Sequence, residues 1–251
     1  MTRLKAVFWD VDGTLADTEM DGHRPAFNAA FEQFDLGWHW DPELYQQLLA
    51  IPGGGQRMVH YAKQCQQSLD QTLLEALKQA KKSHYLSRIR SGGVALRPGV
   101  TRLLDELQNA GVTQWIVTSS GRASVEALLE GVFATTASPF AGFVSSDDVA
   151  HHKPAPDPYL CALQRSGVAA ASAIAIEDSA AGLIAASEAS LACLVTPSGW
   201  DQQLSSQWHR AAAVVNHLGE PGKELTQLAG PPCSSDRITL EYLESLLECD
   251  S

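Results

Sequence analysis

The chain has 251 residues, room for one large α/β domain or a core with a small second domain, and its 45% hydrophobic content is ordinary for a globular protein. Twenty-nine acidic against 18 basic residues give a formal charge of −11, which argues against broad nucleic-acid binding and against a grip on anionic lipid. No apolar run is long enough to span a membrane, and the five cysteines (65, 161, 193, 233 and 249) form no C-x-x-C pair, so reduced thiols in a cytoplasmic protein are expected rather than disulfides or a zinc site.

Residues 4–10, L-K-A-V-F-W-D, read as a buried strand entered almost at once, with no signal or transit peptide before it. It runs into D-V-D-G-T (10–14), two carboxylates followed by an abrupt turn. From 17 to 91 strand signals nearly vanish. Ala26, Phe27, Ala30, Phe31 and Phe34 recur at helical spacing, as do Leu44, Leu48 and Leu49, and later Leu69, Leu73, Leu74 and Leu77, so an all-helical insert is expected.

At L-R-P-G-V (96–100) the alternation resumes. A helix is expected over 99–110, a strand running to Ser119, a helix over 123–130, a strand over 142–146 and a helix over 156–166. A-I-A-I-E-D (173–178) reads as a strand, 180–189 as a helix, 191–196 as a strand and 211–216 as a last weak one. Strands alternating with helices imply a doubly wound parallel sheet. The domain reading is therefore a core of 1–16 and 92–229, a helical block over 17–91, and a 230–251 tail. That tail is a linker with an amphipathic helix, or a disordered end.

In an open parallel sheet, ligands bind beyond the carboxyl ends of the strands. The residues expected there are Asp10 and Asp12, Ser119 and Ser120, Glu177 and Asp178, with Lys153 from the loop H-H-K-P. Four carboxylates gathered at one edge repel; two charges ~4 Å apart cost about 4 kcal/mol at a surface-like dielectric. A dication relieves this, and hard oxygen donors without Cys or His favour Mg²⁺, held by Asp10 and Asp178 with Glu177 as a further candidate. Such a site completes its shell with water and phosphate oxygens, which Ser119 and Lys153 suit as donors. Gly13 lets the backbone come close, the D-G-T amides add donors, and Thr14 offers a hydroxyl or caps the turn. With no P-loop and no G-x-S-x-G elbow, a carboxylate is the expected nucleophile. Asp10 would attack phosphorus, and Asp12 would protonate the leaving alkoxide and then activate water.

These residues resemble the haloacid dehalogenase-like (HAD) phosphohydrolase superfamily, whose four motifs are matched by D-V-D-G-T (10–14), T-S (118–119), Lys153 within K-P, and E-D (177–178). The match covers nearly the whole chain to about residue 225. The resemblance implies a Rossmann-like core with a small α-helical cap inserted after the first motif. It also implies Asp10 as nucleophile, Asp12 as acid/base, and Mg²⁺ on Asp10, the Asp12 carbonyl and Asp178. Trp9 stands where the family usually has Phe.

The run D-V-D-G-T-L-A-D-T-E-x-D-G-H-R-x-A-F-N-x-A-F, D-P-E-L-Y-x-x-L-L with Arg57 after a Gly-Gly pair, and A-L-R-P-G-V are similar to the CbbY branch, close to β-phosphoglucomutase. That likeness implies a monomeric sugar-phosphate phosphatase acting on xylulose-1,5-bisphosphate. The second phosphate would fall to Arg57 and Lys81 of the cap, with Gly54 allowing close approach and Arg122 reaching from the core. Glu19 and His23 would face the sugar. Gly55 stands where CbbY proteins often carry Lys. A β-phosphoglucomutase uses the same aspartyl phosphate, while a catalytically silent binding protein would lack the nucleophile or a metal acid, and neither is missing.

Overall fold

The computed structural model describes residues 3–51, 53–133, 137–201 and 203–248. Cys249 and the end of the expected tail lie outside the described residues. The strands are β1 (Ala6–Trp9), β2 (Thr113–Val117), β3 (Gly142–Val144), β4 (Ala173–Glu177), β5 (Ala192–Val195), β6 (Ala213–Val215) and β7 (Gln227–Ala229). They form one sheet in the order β3-β2-β1-β4-β5-β6-β7. All neighbours are parallel except β6 and β7. The helices are α1 (Arg24–Gln33), α2 (Pro42–Leu48), α3 (Gly54–Gln64), α4 (Gln71–Arg90), α5 (Val100–Asn109), α6 (Arg122–Phe133), α7 (Asp157–Ser166), α8 (Ala180–Glu188) and α9 (Leu240–Leu246).

Alternation along the strands sorts the core into two layers. Val7 and Trp9 of β1 and Ile174 and Ile176 of β4 face α5, α6 and α9. Ala6 and Phe8, Ala173 and Ala175 face α7 and α8. The small residues on the second face match A-A-G-L-I-A-A-S-E of α8, an Ala-rich helix that can lie close to the sheet. Trp9 fits its buried place because Nε1 donates to Gln114 Oε1 at 3.1 Å.

The helical block has a core of its own, in which Phe27, Phe31, Trp40 and Tyr45 pack with tilted and edge-on rings alongside Met58 and Leu77. Asp41 and Asp70 cap α2 and α4, each accepting from a backbone N–H at 2.8 Å. The block is also footed on the sheet domain. Tyr85 and Ile89 of α4 belong to the main core, and a Cβ on Gly131 of α6 would strike the Ile89 carbonyl.

Of the two readings of the tail, the amphipathic helix is the one that forms, as α9: Ile238, Tyr242, Leu243 and Leu246 are buried in the main core, with α9 capped by Thr239. One feature departs from the sequence reading. The antiparallel strand β7 has no counterpart among the expected strands, because three residues with Leu228 exposed carry too little alternation to read.

Candidate active site

The site follows from register. Trp9 of β1 pairs with Ile176 of β4, so Asp10 emerges beside Glu177 and Asp178 at the carboxyl edge. Carboxylate oxygens of Asp10, Glu177 and Asp178 lie within 4.8 Å of one another, and all three residues are buried. Lys153, from the loop before α7, donates to Asp10 Oδ1 at 2.8 Å, Glu177 Oε1 at 2.6 Å and the Val117 carbonyl at 2.8 Å. Tyr159 donates its hydroxyl to the same Glu177 oxygen.

One ammonium does not balance three buried acids. Burial pushes the Asp10 carboxyl up to about 7; Lys153 pulls it down, and Glu177 and Asp12 push it further up. Burial, then Asp10 and Glu177, hold Asp178 well above the usual carboxylate range. Burial works against the Lys153 charge, yet Asp10 and Glu177 outweigh it and raise the ammonium's pKa. Glu177 Oε2 is buried without a hydrogen-bond partner. Unneutralised charge and an orphaned carboxylate oxygen in an all-oxygen donor set fit a hard dication.

Asp12 is placed differently. One of its oxygens accepts from the Thr18 hydroxyl and the other from the Ser120 hydroxyl. Ser120 therefore holds Asp12, where the sequence reading gave it to substrate. Ser119 is exposed and lines a cleft of about 520 Å³ shared by Asp10, Asp12, Lys153 and Asp178. The helical block contributes Glu19 and Arg57 to the same cleft. Tyr45 donates to Glu19 at 2.6 Å, and Arg57 lies 3.8 Å from Glu19 while donating to the Ile51 carbonyl at 3.0 Å. Burial raises the Glu19 pKa against the opposing pull of Tyr45 and Arg57.

His23, Gly54 and Lys81 line another cavity, of about 380 Å³. His23 stacks on Tyr85 with centroids 4.1 Å apart, and its Nδ1 lies 2.8 Å from Lys81 Nζ. Burial and the charges of Lys81 and Arg57 lower the His23 pKa, so a neutral ring accepts from the ammonium. Burial brings Lys81 down to about 8, with Glu19 and Asp12 opposing. Arg57 and Lys81 thus line different cavities in this arrangement, while the Arg57 charge still reaches Lys81 and adds to the lowering of its pKa.

Four further expectations are corrected. Gly54 makes room for an aromatic ring, since its Cβ would stand 2.7 Å from Phe27 Cζ. Thr14 is buried with its N–H on the Val11 carbonyl at 3.2 Å, and lines neither cavity. The Gly13 N–H donates to Ala16 O at 2.8 Å; at φ +90° a Cβ there would collide with the Asp178 carboxylate. Glycine is needed for that close approach, and the turn's amides close on the turn. Arg122 pairs with Asp148 at 3.0 Å and lies over the Phe143 ring, lining neither cavity.

Sequence reasoning missed Thr18, Tyr45, Tyr159 and Arg97. Each acts on another protein group, in all but Thr18 through a contact distant in sequence, and no periodic or spacing signal marks such a residue. Trp200, which lines the cleft and donates to Asp17 at 3.3 Å, was missed for the same reason.

Comparison with known proteins agrees with this geometry. The haloacid dehalogenase-like hydrolase family matches residues 7–196. The plasmid protein CbbY of Cupriavidus necator is 40% identical over 233 residues, covering 89% of each chain. CbbY of Rhodobacter capsulatus is 42% identical over 196 residues, 78% of this chain and 86% of the relative. Among solved structures, a mutant CbbY from Rhodobacter sphaeroides in complex with xylulose-(1,5)bisphosphate superposes with a TM-score of 0.70 at 33% identity, covering 85% of this chain and 94% of that one. The match runs through the strand-end acids and the helical block alike, and the chain belongs to the haloacid dehalogenase-like hydrolases, in their CbbY branch.

Proposed function

We propose that the protein is a Mg²⁺-dependent phosphatase that hydrolyses a sugar phosphate through an aspartyl phosphate on Asp10, with xylulose-1,5-bisphosphate as the favoured substrate. The observation that carries this is the buried trio of Asp10, Glu177 and Asp178, with one ammonium paired to the first two, beside a cleft that also holds Asp12. The resemblance to CbbY, and the xylulose-bisphosphate complex of a relative, support the substrate.

Lys153 holds Asp10 Oδ1, which leaves Oδ2 to attack phosphorus. As the P–O bond to the sugar breaks, Asp12 gives its proton to the leaving oxygen. It then takes one from the water that cleaves the acyl phosphate, returning Asp10 to its starting state. The Thr18 and Ser120 hydroxyls hold Asp12 at this post. Mg²⁺ would be held by Asp10, Asp178 and the Asp12 carbonyl, with Glu177 close by, and when bound would neutralise the acids and stabilise charge on the phosphoryl oxygens. Ser119 and Lys153 supply donors to those oxygens. In this reading 17–91 is the cap, with Arg57 and Glu19 facing the substrate, and 1–16 with 92–229 is the core, extended by α9.

A panel of xylulose-1,5-bisphosphate, ribulose-1,5-bisphosphate, β-glucose-1-phosphate and phosphoglycolate, scored by free phosphate, tests the reading. The first should give the highest kcat/KM, and Asp10→Asn should lose on the order of 10⁴-fold or more while keeping its circular dichroism spectrum. Transfer of phosphate to a second sugar without release, or retained turnover in the variant, would overturn it.

A further inference from the structure

Arg97 stands in L-R-P-G-V just before α5 and plays no part in the chemistry above. Its guanidinium is largely buried. Nη1 donates to the Gly13 carbonyl, to the Thr196 carbonyl at 2.7 Å and to Thr196 Oγ1 at 3.0 Å; Nη2 donates to the carbonyls of Pro197 at 3.0 Å and Asn216 at 3.3 Å. Its own N–H donates to Leu15 O at 2.8 Å. Thr196 follows β5, Asn216 follows β6 and Gly13 follows β1, so one planar cation gathers the carbonyl ends of three strands. Lysine, with a single point of charge, cannot span them.

Two of the segments that Arg97 gathers abut the acids. Gly13 follows Asp12 and touches Asp178 so closely that no Cβ fits between them. Ser198 follows Pro197 and hydrogen-bonds the Asp178 side chain, and a Cβ on Gly13 would stand 2.9 Å from Ser198 Cβ. The Arg97 fork thus ties together the two segments, the Gly13 turn and the 196–198 loop, that pack against Asp178.

We propose that Arg97 is a positioning residue for the cation site: by tying the Gly13 turn to the 196–198 loop it fixes Asp178 against Asp10 and the Asp12 carbonyl, and so sets the affinity for a divalent cation. The inference rests on the cation site of the proposed function.

The test is calorimetric titration of the metal-free protein with MgCl₂, alongside steady-state kinetics on p-nitrophenyl phosphate. Arg97→Lys should raise the Mg²⁺ dissociation constant ~10–100-fold, as loss of a group supporting a metal ligand does. KM at saturating Mg²⁺ should stay within about threefold of wild type, and kcat should recover as Mg²⁺ is raised. Millimolar guanidinium should restore the Mg²⁺ affinity of Arg97→Ala and leave wild type unchanged. A folded Arg97→Lys with wild-type Mg²⁺ affinity overturns the inference alone. Absence of Mg²⁺ binding by wild type overturns the cation site and the inference with it. Should the Arg97 variants fail to fold, Ser198→Ala decides, since it removes only the hydroxyl on Asp178: weakened Mg²⁺ binding supports the relay, and unchanged binding overturns it.

Discussion

Glu177 illustrates how the site is specified residue by residue. One of its oxygens is held by Lys153 and Tyr159, and the space around the carboxylate exists because residue 182, on the first turns of α8, is glycine. A methyl there would overlap the carboxylate directly. Gly182→Ala should therefore push Glu177 off Lys153, lowering kcat on the order of 10²-fold. It should also lower the unfolding free energy by about 1–3 kcal/mol, the usual range for overpacking. Phosphate release and urea denaturation check the two effects separately. Asp10, Asp12 and Asp178 were legible in the sequence because strand ends fix their place, and Lys153 because its loop enters a helix at the same edge. Gly182 and Tyr159 were not, because their role exists only once α7 and α8 pack on β4.

Among the elements, α3 and α4 divide the cationic residues of the helical block. Arg57 of α3 lines the cleft of the acids, while Lys81 of α4 lines the cavity of His23. Arg57→Ala should raise KM for xylulose-1,5-bisphosphate ~10–100-fold, the range of a lost charge-assisted hydrogen bond or two. It should alter KM for a small monophosphate much less; equal losses on both would remove Arg57 from the second phosphate. The closing helix α9 is also an element of the core, not an appendage. Leu243→Ala should cost about 2–5 kcal/mol of stability, read from denaturant midpoints, with kcat per folded molecule unchanged. Helix α9 was half legible: L-E-Y-L-E-S-L-L marks an amphipathic helix, but its docking partners lie more than a hundred residues away, on α5 and β1.

Over the whole molecule, the alternation of strands and helices declared the parallel sheet, and the break in that alternation declared the helical block. What stayed hidden was contact across the chain: β7 on β6, α9 on the main core, and the Arg97 fork. In the proposed function the buried acids at the sheet edge hold Mg²⁺, and stability should then depend on the cation. Mg²⁺ at about 100 times its dissociation constant should add about 2.7 kcal/mol. For a chain of this size that is a rise in Tm of roughly 5–10 °C, removed by EDTA and measured by differential scanning fluorimetry.

The contact between Ile89 and Gly131, near the C-terminal end of α4, has a mechanical meaning. Backbone against backbone leaves nothing there to compress, and the 20 residues of α4 run about 30 Å. A tilt of about 10° about this contact would carry the far end of α4 by about 5 Å but Lys81, part-way along, by only about 2 Å. Any rocking of the helical block would therefore change the reach of each side chain over the acids in proportion to its distance from that contact.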